Sequence, residues 1–336
     1  MLFDPIKIRN LELKNRVVMA PMCMYNAADD GMVTSMHLEH YAARAVGGLG
    51  LVLTEATAVS PDGRISNGDL GIWNDAQSEG LRQLVERVHS YDCKIGIQIA
   101  HAGRKSESAI TPLAPSALRF SESYTLPKAL TIKEIQDVKK EFLEAVKRAV
   151  KAGFDVIELH GAHGYFIHQM LSPFSNKRDD MYGGSFENRV RFLCELVKET
   201  RTFYNGVLFV RLSAVEYQEE AFSLEDTIEL AKLLKALDVD VIDVSGGGNA
   251  PMGPSKIFPG YQIEYAKAIK EKAGIKTAAV GIINTYELAE QTLKNGEADL
   301  ILLGRELLRN PYWAANTAKL YENKDVMLKN YARAYQ

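Results

Sequence analysis

Cysteine is scarce in this chain of 336 residues: Cys23, Cys93 and Cys194 are all it has, with no CxxC pair and no Cys/His ligand spacing. An odd count without such spacing argues against a disulfide framework, a structural zinc site and an iron–sulfur cluster, and leaves thiols. Cys93 and Cys194, set among apolar residues, are expected to be buried. Also missing is any uninterrupted run of about eighteen apolar residues, so no membrane-spanning helix is expected. The opening Met1-Leu2-Phe3-Asp4-Pro5 lacks the basic-then-apolar pattern of an export signal, and a cytoplasmic protein is expected. No block of about five or more like charges occurs. With 40 basic against 43 acidic residues and a net charge of -3, nothing suggests a basic surface for nucleic acid.

What is present is an ordinary globular balance, 46% hydrophobic and 25% charged, in a chain long enough to bury a large core. Short runs rich in Val, Ile and Leu recur, as expected of strands buried on both faces. They fall at Val17 to Met19, Leu49 to Thr54, Lys94 to Ala100, Val156 to His160, Val207 to Leu212, Val241 to Ser245, Thr277 to Gly281 and Leu300 to Leu303. Amphipathic stretches near 34–46, 75–90, 131–152, 187–203, 223–236, 262–273, 285–295 and 305–320 read as the intervening helices. Thr131-Ile132-Lys133-Glu134 fits a capping box and Gly153 a helix stop. Three strand entries, at Asp155, Asp240 and Asp299, each place an Asp just before an apolar pair.

Eight strands alternating with eight helices predict an α/β fold of the (β/α)8 TIM-barrel type, one domain over residues 1–336. A doubly wound open sheet is disfavoured because no GxGxxG follows the first strand. Phe3 to Lys14 is expected to form a hairpin over the barrel floor. The Gly, Pro and Ser rich stretches 55–74, 101–130 and 245–261 should lie on the catalytic face.

At the predicted end of strand four, His160-Gly161-Ala162-His163-Gly164-Tyr165 gathers two imidazoles and a phenol. The set is incomplete for a metal, with no carboxylate or Cys beside it. Paired imidazole N–H groups can instead grip a carbonyl oxygen that gains negative charge, while the phenol supplies a proton. Two satisfied structural histidines are the plainer alternative. Gln98 and Arg211, ending strands three and five, are expected at the same mouth, where a neutral donor and a cation suit a flat heterocycle with carbonyl acceptors; for each, an interior polar residue bonded to a neighbouring strand is the equally weighted alternative. Gly281 and Gly304-Arg305, closing strands seven and eight, stand where barrels commonly bind phosphate, the alternative being that the glycines merely permit tight βα turns. Ala20-Pro21-Met22-Cys23-Met24-Tyr25 brings a thiol and a phenol to the first strand end, though Cys23 taken alone reads as a buried thiol.

Together these blocks resemble the old yellow enzyme family, in particular its bacterial NADPH dehydrogenase branch. The resemblance runs from Phe3-Asp4-Pro5-Ile6 to Tyr331-Ala332-Arg333. Between them it includes Asp69-Leu70-Gly71-Ile72-Trp73, Gln98 to Lys105, Leu171 to Arg178 and Phe258-Pro259-Gly260-Tyr261. It implies non-covalent FMN, with its pyrimidine edge at Gln98, Arg211 and the backbone near Pro21, Met22 and Ala56, and its phosphate at Gly281, Gly304 and Arg305. It implies NADPH as electron donor and activated alkenes as substrates, whose electron-withdrawing oxygen meets His160 and His163. Tyr165 would then give the proton, Cys23 would adjust the flavin's redox poise, and Tyr25 would shape the substrate pocket. It further implies a homodimer or homotetramer in which Arg333 reaches a neighbouring subunit's site. Arg104 is a candidate nicotinamide-nucleotide contact. Two stretches depart from the family pattern, Ala221-Phe222 and the glycine-rich Ser245 to Ala250, and both are expected on the substrate side. The competing readings are another FMN barrel, such as a tRNA dihydrouridine synthase, and a flavin- or phosphate-binding barrel without turnover.

Overall fold

Strands whose side chains must be buried on both faces have to close on themselves or be covered by helices, and this chain does both. A computed structural model describes residues 1–324 and 326–335. An antiparallel hairpin, β1 (Ile6–Ile8) and β2 (Leu11–Leu13), leads into β3 (Val17–Met19), α1 (Ser35–Val46), β4 (Leu51–Ala58), α2 (Asp75–His89) and β5 (Lys94–Ala100). A short parallel pair, β6 (Leu113–Ala114) and β7 (Lys128–Ala129), precedes α3 (Ile132–Ala152), β8 (Val156–Gly161), α4 (Phe166–Leu171), α5 (Phe186–Arg201) and β9 (Val207–Ser213). The remainder runs α6 (Leu224–Ala236), β10 (Val241–Ser245), α7 (Ile263–Ala273), β11 (Lys276–Ala279), α8 (Tyr286–Lys294), β12 (Leu300–Leu303), α9 (Arg305–Arg309) and α10 (Trp313–Glu322). Strands β3, β4, β5, β8, β9, β10, β11 and β12 close in that order into one parallel barrel, β12 pairing back with β3.

Alternation along each barrel strand sorts two cores. One residue set, among them Val52, Ile97, Ile157, Val210, Ile242 and Ile301, packs outward with the helices. The other, among them Val18, Leu51, Val156, Phe209, Val241 and Leu300, fills the barrel's lower interior, where Ile6, Ile8 and Leu13 of the hairpin join it. The hairpin thus covers the floor, as expected. Moving up the same inward-facing positions, the apolar residues give way to Gln98, Glu158, Arg211 and Asp243, all buried.

The echoed aspartates have a physical cause. Asp155, Asp240 and Asp299 each stand just before a strand and accept the backbone N–H of Ile95, Leu208 and Thr277 at 2.9, 2.9 and 3.0 Å. Each of those residues lies on the strand before, so the carboxylate staples one βα unit to the next. The capping box is present, with Glu134 accepting from the Thr131 N–H at 2.9 Å, and Gly153 ends the helix in the left-handed region at φ 91°.

Several elements differ from expectation. The second barrel strand continues to Ala58, with a register shift between Thr54 and Ala56. The expected helix 305–320 is two helices, α9 and α10, because Pro311 lacks the N–H a continuing turn needs. The six-residue α4 is too short to show helical periodicity. Cys93 is buried, whereas Cys194 is only partly so. Replacing Asp240 with Ala leaves the Leu208 N–H without its acceptor and is expected to cost about 1–3 kcal/mol, read as a lowered urea midpoint at unchanged slope.

Candidate active site

The C-terminal ends of the barrel strands form a mouth whose wall is the loop after β8. His160, still in β8, is buried. His163 and Tyr165, in the loop, are partly exposed. The His160 ring meets His163 at 5.1 Å between centroids and Tyr165 at 5.0 Å, both edge-on. The three predicted residues therefore form one cluster. His160 Nδ1 is buried with no hydrogen-bond partner among the described residues. His163 Nε2 lies 2.7 Å from Ser245 Oγ, and its backbone N–H donates to Ser213 Oγ at 3.0 Å. A Ser245 hydroxyl donating to Nε2 leaves the ring proton on His163 Nδ1.

Burial, reinforced by the charge of Arg211, holds both imidazoles well below the ordinary histidine range, so they are neutral donors or acceptors at neutral pH. Burial raises the Tyr165 phenol well above its ordinary value and keeps its proton in place. Burial, then the charges of Asp69 and Glu55, likewise raises the Cys23 thiol, and the Ala56 backbone acts weakly in the opposite direction. Cys23 is therefore a neutral thiol rather than a nucleophilic thiolate. Lys105, pushed down to about 8 by burial, donates to the carbonyls of His163 and Gly248 at 3.0 Å each and lies 5.1 Å from the Tyr165 ring.

Beside this cluster a cavity of about 330 Å³ runs from Arg211 and Ser245 past Tyr261 and Gln262 to Gly281, Gly304, Arg305 and Arg309. Of the predicted heterocycle contacts, Arg211 thus lines one space with the predicted phosphate contacts Gly281, Gly304 and Arg305. Gly281 takes φ 120°, open only to glycine, and Gly304 immediately precedes α9 with its missing Cβ facing Met22 Sδ. Gln98 donates to Glu158 at 2.8 Å, and Arg211 Nε is 3.0 Å from Asp243. Ala56 pairs with Gln98 across β4 and β5. Pro21, Met22 and Cys23 follow β3 and are partly exposed, and Tyr25 is 55% exposed with φ 51°. An open cationic cradle, glycine-lined at one end and carrying an unpaired imidazole nitrogen nearby, fits a flat phosphorylated heterocycle such as FMN.

Other expected residues lie elsewhere. Arg333 is exposed in a 3₁₀ segment, Lys329–Tyr335. The preceding residues 326–330 share a cavity with Phe3, Lys14 and Asp92 at the opposite end of the barrel, so Arg333 does not join this chain's own histidines. Arg104 is 2% exposed and donates to Asn249 O at 2.6 Å, which ties its guanidinium to the loop after β10. Phe222 is buried and stacks on Phe186 in the outer core, so it does not line the mouth. The loop Ser245 to Ala250 does reach the site, through Ser245.

Sequence reasoning missed the buried carboxylates that organise these parts. Glu55 accepts from the Met24 N–H at 2.8 Å and from the Tyr41 hydroxyl at 3.0 Å, anchoring the segment after β3. Glu216 accepts from His168, Ser172, Asn249 and the Phe222 N–H. An acidic residue shortly after a predicted strand end, Thr54 or Leu212, was the available signal, but composition alone cannot tell it from a surface Glu.

The buried imidazoles carry a pH consequence. Burial pushes His101 and His40 down to about 4 from the ordinary 6.5, and His160 and His163 shift the same way. Below 6.5 the unfolded chain takes up protons that these folded imidazoles refuse, so their contribution to stability falls as pH falls towards about 4. Ring C–H NMR signals of these four residues should not titrate between about pH 8 and about pH 5.5. A midpoint near 6.5 for His160 or His163 contradicts the neutral assignment.

Comparison with known proteins agrees with this geometry. Residues 1–323 match the model of the NADH:flavin oxidoreductase / NADH oxidase family. An NADPH dehydrogenase of Bacillus cytotoxicus is 52% identical over 318 residues, covering 94% of this chain and 92% of the relative. An old yellow enzyme homologue from Zymomonas mobilis superposes with a TM-score of 0.83 at 29% identity, over 99% of this chain and 96% of that one. A 2-naphthoyl-CoA reductase superposes at 0.90 with 26% identity over 96% of this chain, which spans 52% of that longer protein. Family match, sequence relatives and barrel geometry agree, and the chain belongs to the NADH:flavin oxidoreductase / NADH oxidase family, the FMN-dependent oxidoreductases of the old yellow enzyme type.

Proposed function

We propose that this FMN-dependent NADPH dehydrogenase reduces the C=C bond of α,β-unsaturated carbonyl or nitro compounds in a ping-pong cycle, with NADPH and alkene using one mouth in turn. The observation that carries the reading is the convergence of His160, His163 and Tyr165 beside the cavity of Arg211, Gly281 and Gly304. FMN, when bound, supplies a carrier that accepts hydride from the reduced nicotinamide and returns it to the alkene. Pro21, Met22, Cys23, Ala56, Gln98 and Arg211 would hold its ring, and Gly281, Gly304 and Arg305 its phosphate. The whole chain, residues 1–336, serves as one FMN-binding unit.

His160 and His163 act as neutral N–H donors to the electron-withdrawing oxygen of the substrate, so charge drawn onto that oxygen leaves the β-carbon electrophilic. Because burial keeps both rings neutral, their donated hydrogen bonds gain most as that oxygen becomes negative. Tyr165 holds its proton through burial and delivers it from its phenolic oxygen to the α-carbon. Tyr25, exposed at the rim, shapes the substrate entrance. Arg333, remote from its own mouth, would complete the site of a neighbouring subunit in a homodimer or homotetramer. A cytoplasmic location goes with this reading, since reduced nicotinamide is supplied there.

The near-neutral charge balance favours a small-molecule substrate over the tRNA of a dihydrouridine synthase. A purified protein with a flavin absorbance band that bleaches under anaerobic NADPH and returns with cyclohexenone is the expected result. A band that bleaches but does not return with the enone overturns alkene reduction, and a colourless protein that takes up no flavin favours a phosphate-binding barrel. In stopped-flow measurements, Tyr165→Phe should leave reduction by NADPH near wild type and slow reoxidation by the enone. His160→Ala should lower the enone step by roughly a hundredfold or more.

A further inference from the structure

We propose that Glu216, acting through His168, is the positioning residue that locks the His163-Gly164-Tyr165 backbone in the conformation the alkene-reducing step requires. The inference rests on the reading just given for His163 and Tyr165 and adds a residue that touches neither flavin nor substrate.

The loop needs holding. His163 has φ 59° and Gly164 φ 74°, two successive residues in the left-handed region, and for His163 that costs about 1–2 kcal/mol. A Cβ at Gly164 would stand 2.2 Å from the Gly248 carbonyl oxygen, so the loop is pressed against its neighbour. Strain of this kind persists only where the surroundings over-determine the backbone.

The surroundings do so through α4. The Gly164 N–H donates to His168 Nδ1 at 2.9 Å, and the Gly164 carbonyl accepts from Gln169 Nε2 at 2.7 Å. Since His168 Nδ1 is an acceptor, the imidazole proton sits on Nε2 and is donated to Glu216 Oε1 at 3.1 Å. The same carboxylate accepts from the Phe222 N–H at 3.1 Å, and from Ser172 Oγ and Asn249 Nδ2 at 3.0 Å each. Glu216 and His168 are each 1% exposed, so no water competes for these bonds. Burial alone would raise the Glu216 carboxyl, but the His168 interaction and the bonds from Ser172 and Asn249 outweigh it and leave the value below the ordinary carboxylate range. One anion thus ties together the loops after β8, β9 and β10, with the strained residues at the end of the chain of bonds.

Glu216→Gln keeps the shape but replaces one acceptor oxygen with a donor, which faces donors already pointing at it. The test uses holoenzyme, with FMN content measured by absorbance, hydrogen exchange by mass spectrometry, and both half-reactions by stopped flow at saturating NADPH or cyclohexenone. The expected result is faster exchange in the peptide covering residues 161–170 and at the Phe222 amide, which bonds the same carboxylate oxygen, with none elsewhere; FMN content should be full and the reoxidation rate lowered about tenfold or more, since loss of geometry near 1 Å can cost about a hundredfold. Reduction by NADPH should change less, because it does not use Tyr165. Ser172→Ala, which removes one donor and leaves His168 in place, should shift the same two readouts in the same direction by less.

Wild-type exchange at 161–170 together with wild-type reoxidation in Glu216→Gln overturns the proposal. So does a uniform rise in exchange with equal losses in FMN content and both half-reactions, which is the mark of a merely structural residue. If Glu216→Gln does not fold, Ser172→Ala decides on the same readouts, and unchanged values there overturn the lock. Wild-type enzyme that cyclohexenone fails to reoxidise sinks the alkene-reductase reading instead, while the exchange comparison still decides whether Glu216 holds the loop.

Discussion

Everything at the mouth depends on keeping charge inside a closed barrel, where water cannot solvate it and each ion must find a partner. Inward-facing positions are apolar at the floor, where the hairpin seals them, and become Gln98, Glu158, Arg211 and Asp243 one layer higher. Gln98 is held by Glu158 at 2.8 Å and Arg211 stands 3.0 Å from Asp243. Burial, then the neighbouring Asp243, raises Glu158 well above the ordinary carboxylate range, so it retains its proton and the group does not carry two bare anions. That arrangement fixes a donor and a cation, with little freedom to move, on the inner wall of the site.

The same logic of buried polar groups with assigned partners governs the loops. Glu55 holds the segment after β3, and Glu216 gathers the loops after β8, β9 and β10. A barrel whose chemistry sits on loops gains precision only if those loops are tied to rigid strands, and buried carboxylates with several donors each do this here. The neutral state of His160 and His163 follows from the same exclusion of water, reinforced by the nearby guanidinium of Arg211. Environment, rather than residue type, thus keeps these imidazoles neutral instead of cationic.

Close approach of backbones is the other recurrent device. Gly164 against Gly248, and Gly281 at φ 120° against Gln262, are places where a side chain would strike a neighbour or force a strained conformation. The glycine-rich stretch after β10, a departure from the expected family pattern, belongs to this packing. Its Ser245 contacts His163 at 2.7 Å and its Gly248 carbonyl accepts from Lys105 at 3.0 Å. Phe222, the other departure, contributes to the outer core instead.

Local signals were sufficient for the barrel and for the cluster His160, His163 and Tyr165. Alternating apolar runs, a capping box and strand-end polar residues are properties of neighbouring residues, and the repeated aspartates even marked the staples between units. Short α4 left no periodic trace, and the break at Pro311 was hidden in a continuous amphipathic pattern. What only tertiary structure decided involves residues far apart in the chain. Arg104 is spent on Asn249, Arg333 lies away from its own mouth, and Glu216 acts on Gly164 through His168. Sequence can present a charged side chain, but whether it faces water, a ligand or a buried partner depends on which distant segment folds against it.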